Sequence, residues 1–408
     1  FAIIIIKQSI RCEPVLIFQV AVGRIAAAYP WLICAFWAFI MTSVATSLAV
    51  RRTSYEETVE MLTYITGSSS TLALFAIGVH KRPGLQRMLD AMRRDFWYDG
   101  RRATADALFS RFVRTYGAVM PAANVMMCMA PVVWASRNGD IDSPAALIFR
   151  MWTPWTRLTV ARYAAVYAAQ FVVSLSVLTS IAGMVFAMVL FVTEMQVQVD
   201  TLVDVVRDLH VDMWYDERDD GRPDARSGRR RRAAFDGLVK CVKHHQKLIT
   251  YFNHFKSYFN LLFIIDIVYV MVMTCLCASS VLMANGFSAF HIKMMSLLII
   301  VVSQFFFYCL IGEQFSMMNK QFGDCVYFKL VKCKDPKLAR VGLLIILRTQ
   351  KPLQLTTMGI TKYTASLLTF TVTMRSAYAG FNFLYEIIQF KVKQVTIWLI
   401  QFYPKIQI

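Results

Sequence analysis

The feature that most restricts what this chain can fold into is a series of long apolar runs. Between Tyr29 and Tyr385 the sequence returns seven times to stretches of roughly 20 mostly apolar residues, the length that carries an α-helix across about 30 Å of hydrocarbon. They are Tyr29–Val50, Thr58–Val79, Tyr116–Ser136, Tyr163–Val192, Tyr258–Ala284, Lys293–Ile311 and Gly359–Tyr385. The second and seventh are the most polar, through "TGSSSTLA" and "TTMGITKYTAS". A hydrophobic content of 57% over 408 residues exceeds that of ordinary soluble domains, so the bilayer is the expected solvent. Helices are expected rather than a β-barrel, because the runs are continuous and lack the alternation of short tilted strands.

The formal net charge of +18 is unevenly placed. The N-terminal tail and the segments 80–115, 194–257 and 312–358 hold 32 of the lysines and arginines, against 6 in the segments on the other side of the spans. Loops rich in Lys and Arg stay cytoplasmic, so the N-terminus is expected inside and, after an odd number of spans, the C-terminus outside. That distribution argues against a nucleic-acid partner. The run "RSGRRRR", Arg226 to Arg232, is read as a solvated cytoplasmic loop near anionic lipid in preference to a nucleic-acid patch. None of the nine cysteines falls in an expected outer loop, and no CxxC pair suggests zinc. The start at Phe1 without Met points to a truncated gene model, and the first span is expected to serve as signal anchor.

Two inner segments carry helical seams. Leu238, Cys241, His245, Leu248, Phe252, Phe255 and Phe259 recur at steps of three and four, so span five is expected to continue as a cytoplasmic helix packed on others. Val199, Leu202, Val206 and Leu209 imply the same extension for span four. The charged stretch "DERDDGRPDARSGRRRR" between them reads as a disordered link. The adjacent His244 and His245 point about 100° apart on a helix, which favours a packed or solvated pair over a metal site. No cofactor is expected.

Three stretches resemble the insect odorant receptor family. "FFFYCLIGEQF" carries the aromatic-Tyr-Cys-x-x-Gly-Glu pattern at Tyr308, Cys309, Gly312 and Glu313. "DCVYFKLV" and "ILRTQKPLQLTTMG" supply Tyr327, Gln350, Lys351, Pro352 and Leu353. The third is "TMRSAYAGF" in the last span, which reads Ala377, Tyr378, Ala379, Gly380, Phe381 where the family commonly has Ser-Tyr-Ser-Tyr-Phe. Residues 386–408 run past the family's usual end and form an atypical tail, suggesting a misread exon. The related gustatory receptors are the alternative, but "TKYTASLLTFTV" lacks their last-span signature.

The resemblance implies an all-α integral membrane protein: a cytoplasmic tail over 1–28, helices one to six over 29–311, a cytoplasmic anchor over 312–358 and a pore-lining seventh helix over 359–385. It implies an odorant-gated cation channel subunit in the plasma membrane of an olfactory sensory neuron dendrite. The expected partners are a small volatile hydrophobic ligand, membrane lipid, and a shared coreceptor in a heterotetramer.

The outer helix halves would then supply the ligand site: Met61, Tyr64 and Ser68; Met127, Ala130 and Trp134; Tyr163, Tyr167 and Phe171; Met283; and Met295 with His291, which is expected to be solvated. Thr371, Tyr378, Ala379, Gly380 and Phe381 would face the pore or a neighbouring helix. Arg375 would point into a helix interface, with Asp266 of span five as its counter-charge. Catalysis is not expected, since no HExxH, GxSxG, Walker-type or paired-Asp motif occurs. A secondary transporter is disfavoured by the lack of an inverted repeat.

Overall fold

The computed structural model describes part of 35–47, then 55–97, 102–139, 146–150, 159–209, 225–283, 289–330, 335–357, 360–364, 372–380, 382 and 386. The helices are α1 (Tyr55–His80), α2 (Arg82–Asp95), α3 (Arg102–Asn138), α4 (Val160–Asp208), α5 (Ala225–Met283), α6 (Ala289–Leu330) and α7 (Pro336–Thr349). A two-stranded antiparallel hairpin follows, β1 (Thr356–Thr357) with β2 (Ile360–Thr364). Helical residues also occur within 35–47 and over 372–380.

Among the described residues five helices, α1, α3, α4, α5 and α6, are long and apolar enough to cross a membrane. They correspond to expected spans two to six. Three are far longer than a bilayer requires: at 1.5 Å per residue the 49 residues of α4 run about 73 Å, and the 59 of α5 about 88 Å. Their surplus lies at the end of the bundle away from residues 146–150, and it is packed rather than solvated. Every residue of the expected α5 seam, from Leu238 to Phe259, is buried, as are Val199, Leu202 and Val206 of α4. Phe252 and Phe255 of α5 meet Phe315 of α6 at 5.0 and 5.2 Å between ring centroids, and Phe191 of α4 meets Phe255 at 5.8 Å.

Helix α6 is the hub, packing on α3, α4, α5 and α7. Two glycines set the α6–α7 contact: a Cβ at Gly342 would overlap the Leu330 side chain, and one at Gly323 would overlap Thr349 Oγ1. Helix α7 starts at Pro336 behind Asp335, whose carboxylate accepts from the Lys337 N–H at 2.9 Å.

Two expectations change. The run "RSGRRRR" opens α5 as helix instead of lying in a disordered link. Arginine is a strong helix former, and Arg229 and Arg232 keep their side chains exposed. The stretch read as the start of span seven is strand over Ile360–Thr364, and helix is described only at 372–380. The strand sequence "ITKYT" combines β-branched and aromatic residues with the charge of Lys362, which suits a hairpin better than lipid.

Candidate functional site

At the end of the bundle where α3 ends and α4 and α6 begin, here called the upper end, the connection 146–150 lies buried across the helices. Ala146, Leu147, Ile148 and Phe149 are all buried, although the segment is irregular. Buried irregular backbone is costly unless its polar groups are paired. Here side chains pair them. Tyr163 of α4 donates to Ala146 O at 2.9 Å, Lys293 of α6 to Leu147 O at 2.9 Å, and the Tyr64 hydroxyl of α1 lies 3.0 Å from Ile148 O. Gln170 of α4 takes both groups of Phe149, accepting from its N–H at 3.2 Å and donating to its carbonyl at 2.8 Å.

A compact charge cluster accompanies this segment. Lys293 Nζ donates to Glu60 Oε1 at 3.0 Å, Arg150 Nε lies 2.5 Å from Glu60 Oε2, and Arg150 also donates to Glu57 at 2.8 Å. The Glu60 and Lys293 side chains are 0% and 2% exposed. Two carboxylates and two cations balance, which is the condition for burying them at all. Sequence reading missed this cluster. The available signal was a glutamate inside the second apolar run and a lysine opening the sixth, where unpaired charge would be expelled.

The expected ligand residues divide. Tyr64, Met127 and Ala130 are buried, and Tyr64 donates to Glu60 of this cluster at 2.9 Å and meets Phe149 edge-on at 4.9 Å. Tyr163 and Tyr167 stand 5.8 Å apart, and the Tyr167 hydroxyl donates to the Cys128 carbonyl of α3. Beneath them Ser174 donates to Asn124 at 2.6 Å. Ser68 and Trp134 are half-buried, while Phe171 and Met295 are 38% and 40% exposed. Met283 ends α5, with its side chain outside the described residues. His291 is buried, contrary to the solvated position expected from its place at a helix start.

The 372–380 helix presents Arg375, Ser376, Tyr378 and Ala379 outward, while Thr373 and Ala377 are buried. A Cβ at Gly380 would reach Cys275 of α5 at 3.7 Å, so this helix packs on α5. Thr371 and Phe381 lie outside the described residues. The expected Arg375–Asp266 pair is not formed: Asp266 is fully buried and accepts from Gln304 Nε2 at 2.8 Å, whereas Arg375 is exposed. An amide one helix away answers the carboxylate with less desolvation than a second charge.

Of the family-motif residues, Tyr308, Cys309 and Gly312 are buried in α6, with Tyr308 3.3 Å from Gln304, and Glu313 is half-buried. Leu353 is buried after α7, whereas Tyr327, Gln350, Lys351 and Pro352 are exposed.

The lower end has its own polar connections. Gln198 of α4 pairs with both backbone groups of Trp97 at 2.7 Å and faces His244 Nε2 at 3.0 Å, while the His244 and Trp97 rings stack at 3.9 Å. His245 faces Asn319 at 3.2 Å, and Asn319 donates to the carbonyls of Thr349 and Lys351. A cleft of about 690 Å³ opens between α4 and α6 at this end, lined by Val203, Arg207, Lys320 and Phe328 among others. It is remote from the expected ligand residues, all of which belong to the upper half or to the apolar spans.

Long apolar helices bundled through a buried core, with their surplus length joined beneath, define a polytopic helical membrane protein. The family model described as 7tm odorant receptor matches residues 84–378, and the chain belongs to that family of membrane receptors of olfaction. Its fold is similar to that of the olfactory receptor OR5 of the insect Machilis hrabei. The eugenol complex of that receptor aligns with a TM-score of 0.67 and 13% identity over 89% of this chain and 90% of the other. A structure of OR5 described without eugenol aligns at 0.64 and 12% identity, over 87% and 88%. No curated protein matches significantly.

Proposed function

We propose that this chain is a tuning subunit of an odorant-gated cation channel, crossing the plasma membrane of an olfactory sensory neuron dendrite seven times with its N-terminus inside. In this reading it assembles with a shared coreceptor as a heterotetramer. The observation that carries the reading is the likeness in fold over nearly the whole of both chains, together with family membership. The olfactory receptor of that relative was solved with eugenol, a small aromatic volatile. The upper end of this chain supports a ligand of the same class, because Tyr64, Met127, Ala130 and Tyr167 supply apolar and aromatic side chains and the buried charges of Glu60 and Lys293 are paired with each other.

Ligand bound between the outer helix halves would favour a state in which the last helix moves and cations pass. The exposure of Ser376, Tyr378 and Ala379 supports a role for that helix beside a water-filled path. Substitution separates the two functions. Trp134→Ala and Tyr167→Ala are expected to raise the half-maximal concentration of an activating volatile without changing ion selectivity, and Tyr378→Ala to alter the permeability ratio of sodium to potassium. Selectivity unchanged by Tyr378→Ala and by Arg375→Ala would contradict the pore assignment.

A further inference from the structure

We propose that residues 146–150 form a keyed plug, held by side chains from α1, α4 and α6, that closes the upper mouth of the helix bundle to water and opens only when those helix ends move apart. The word "upper" equals "extracellular" only on the orientation given under Proposed function, on which this inference otherwise does not depend.

Four successive carbonyls, from Ala146 to Phe149, are each met by a different side chain: Tyr163, Lys293, Tyr64 and Gln170. A loop that merely rests on a bundle contacts it through side chains and leaves its carbonyls to solvent. This one inserts its own side chains into the core and gives its carbonyls to the walls. Ile148 and Phe149 belong to the same buried core as Tyr64, Met127 and Cys128.

The keys come from separate helices, which makes the closure collective. Tyr64 and Glu60 ride on α1, Tyr163 and Gln170 on α4, and Lys293 on α6. Lys293 bonds to both the plug and Glu60, and Arg150, at the end of the plug, donates to Glu57 and forms an ion pair with Glu60. Separating α1 from α6 therefore breaks the Lys293–Glu60 pair and withdraws a donor from the plug in one motion. Hydrogen bonds in a buried network are directional, and a carbonyl that slips from its donor has no water to replace it. Small displacements are thus resisted, and larger ones release the whole segment. A molecule that changes the spacing of these helix ends would move the plug.

Accessibility of a cysteine in the plug tests this without any ligand. Ile148→Cys is expressed in intact cells and exposed to a charged, membrane-impermeant methanethiosulfonate, with Asn138→Cys on the exposed end of α3 as the open control and the native chain as background. Ile148→Cys should react at least about tenfold more slowly than Asn138→Cys, and adding Lys293→Met or Gln170→Leu should remove most of that protection. Gln170→Leu decides the matter if Lys293→Met does not reach the surface. The proposal is overturned if Ile148→Cys reacts as fast as Asn138→Cys, or if every key variant present at native surface level leaves its rate unchanged. Reaction of both cysteines only after permeabilisation would refute the orientation. The ratio of their rates in permeabilised cells would still decide the plug.

Discussion

Replacing Gln198 by Leu removes one amide that serves three partners. Its Oε1 accepts from the Trp97 N–H and faces His244 Nε2, and its Nε2 donates to the Trp97 carbonyl. Leucine fills similar volume and satisfies none of them. Gln198 and His244 are buried, whereas Trp97 is half-buried, so water compensates in part at Trp97. Taking the low end of about 1–3 kcal/mol per orphaned group for the two Trp97 atoms, and the middle for His244, the loss comes to about 4 kcal/mol. An unfolding entropy of about 2.1 cal/mol/K per residue over 408 residues converts this to a fall of about 5 °C in Tm. The assay is thermal loss of the monodisperse peak in detergent, followed by size-exclusion fluorescence. Gln321→Leu, at an exposed amide, is the control and should shift the midpoint by less than about 1 °C. A Gln198→Leu midpoint within about 1 °C of the native chain would refute the view that this amide ties α2 to α4 and α5.

Gly323→Ala should destabilise by about 1–3 kcal/mol before a gain of about 1 kcal/mol in helix propensity, because its Cβ would lie 2.9 Å from Thr349 Cβ; the same melting assay reads it. Since Gln304 is the partner of Asp266, Asp266→Asn should melt at least about 1 kcal/mol above Asp266→Leu, and reversing both Asp266 and Arg375 should rescue nothing in recorded currents. Tyr64→Phe removes a hydroxyl shared by Glu60 and Ile148 and should cost about 1–2 kcal/mol in the melting assay. Leu343, Leu344 and Leu347 of α7 are 56%, 66% and 54% exposed, so Leu344→Glu should reduce co-purification with the coreceptor while leaving the melting midpoint unchanged.

Helix existence was legible because apolar length and a step of three and four residues are local signals. The seam from Leu238 to Phe259 needed only its own spacing to be placed as a buried face. Spans two, three, four and six likewise lie within α1, α3, α4 and α6, and span five follows α5 as far as Met283. The first turns of α5 were misread because Gly and repeated charge resemble a linker, while the helix there is continued from a packed segment downstream. The polar connections were beyond reach for a different reason. Lys293 meets Glu60 across 233 positions, and Gln198 meets Trp97 across 101, so no window of sequence holds both partners. Asp266 illustrates the same limit: its charge was visible, but choosing Arg375 over Gln304 as partner required knowing which helix faces it. The buried state of His291 was hidden likewise, because a helix start near the membrane edge is wet or dry according to what covers it.

The central claim is ligand-gated conduction by this chain with a coreceptor, and voltage-clamp recording in cells expressing the chain with and without that coreceptor tests it most directly. Across a broad panel of volatiles that includes eugenol, at least one is expected to evoke a cation current only when both chains are present. Silence from the pair, with both chains confirmed at the cell surface and the coreceptor active beside another tuning subunit, would contradict it.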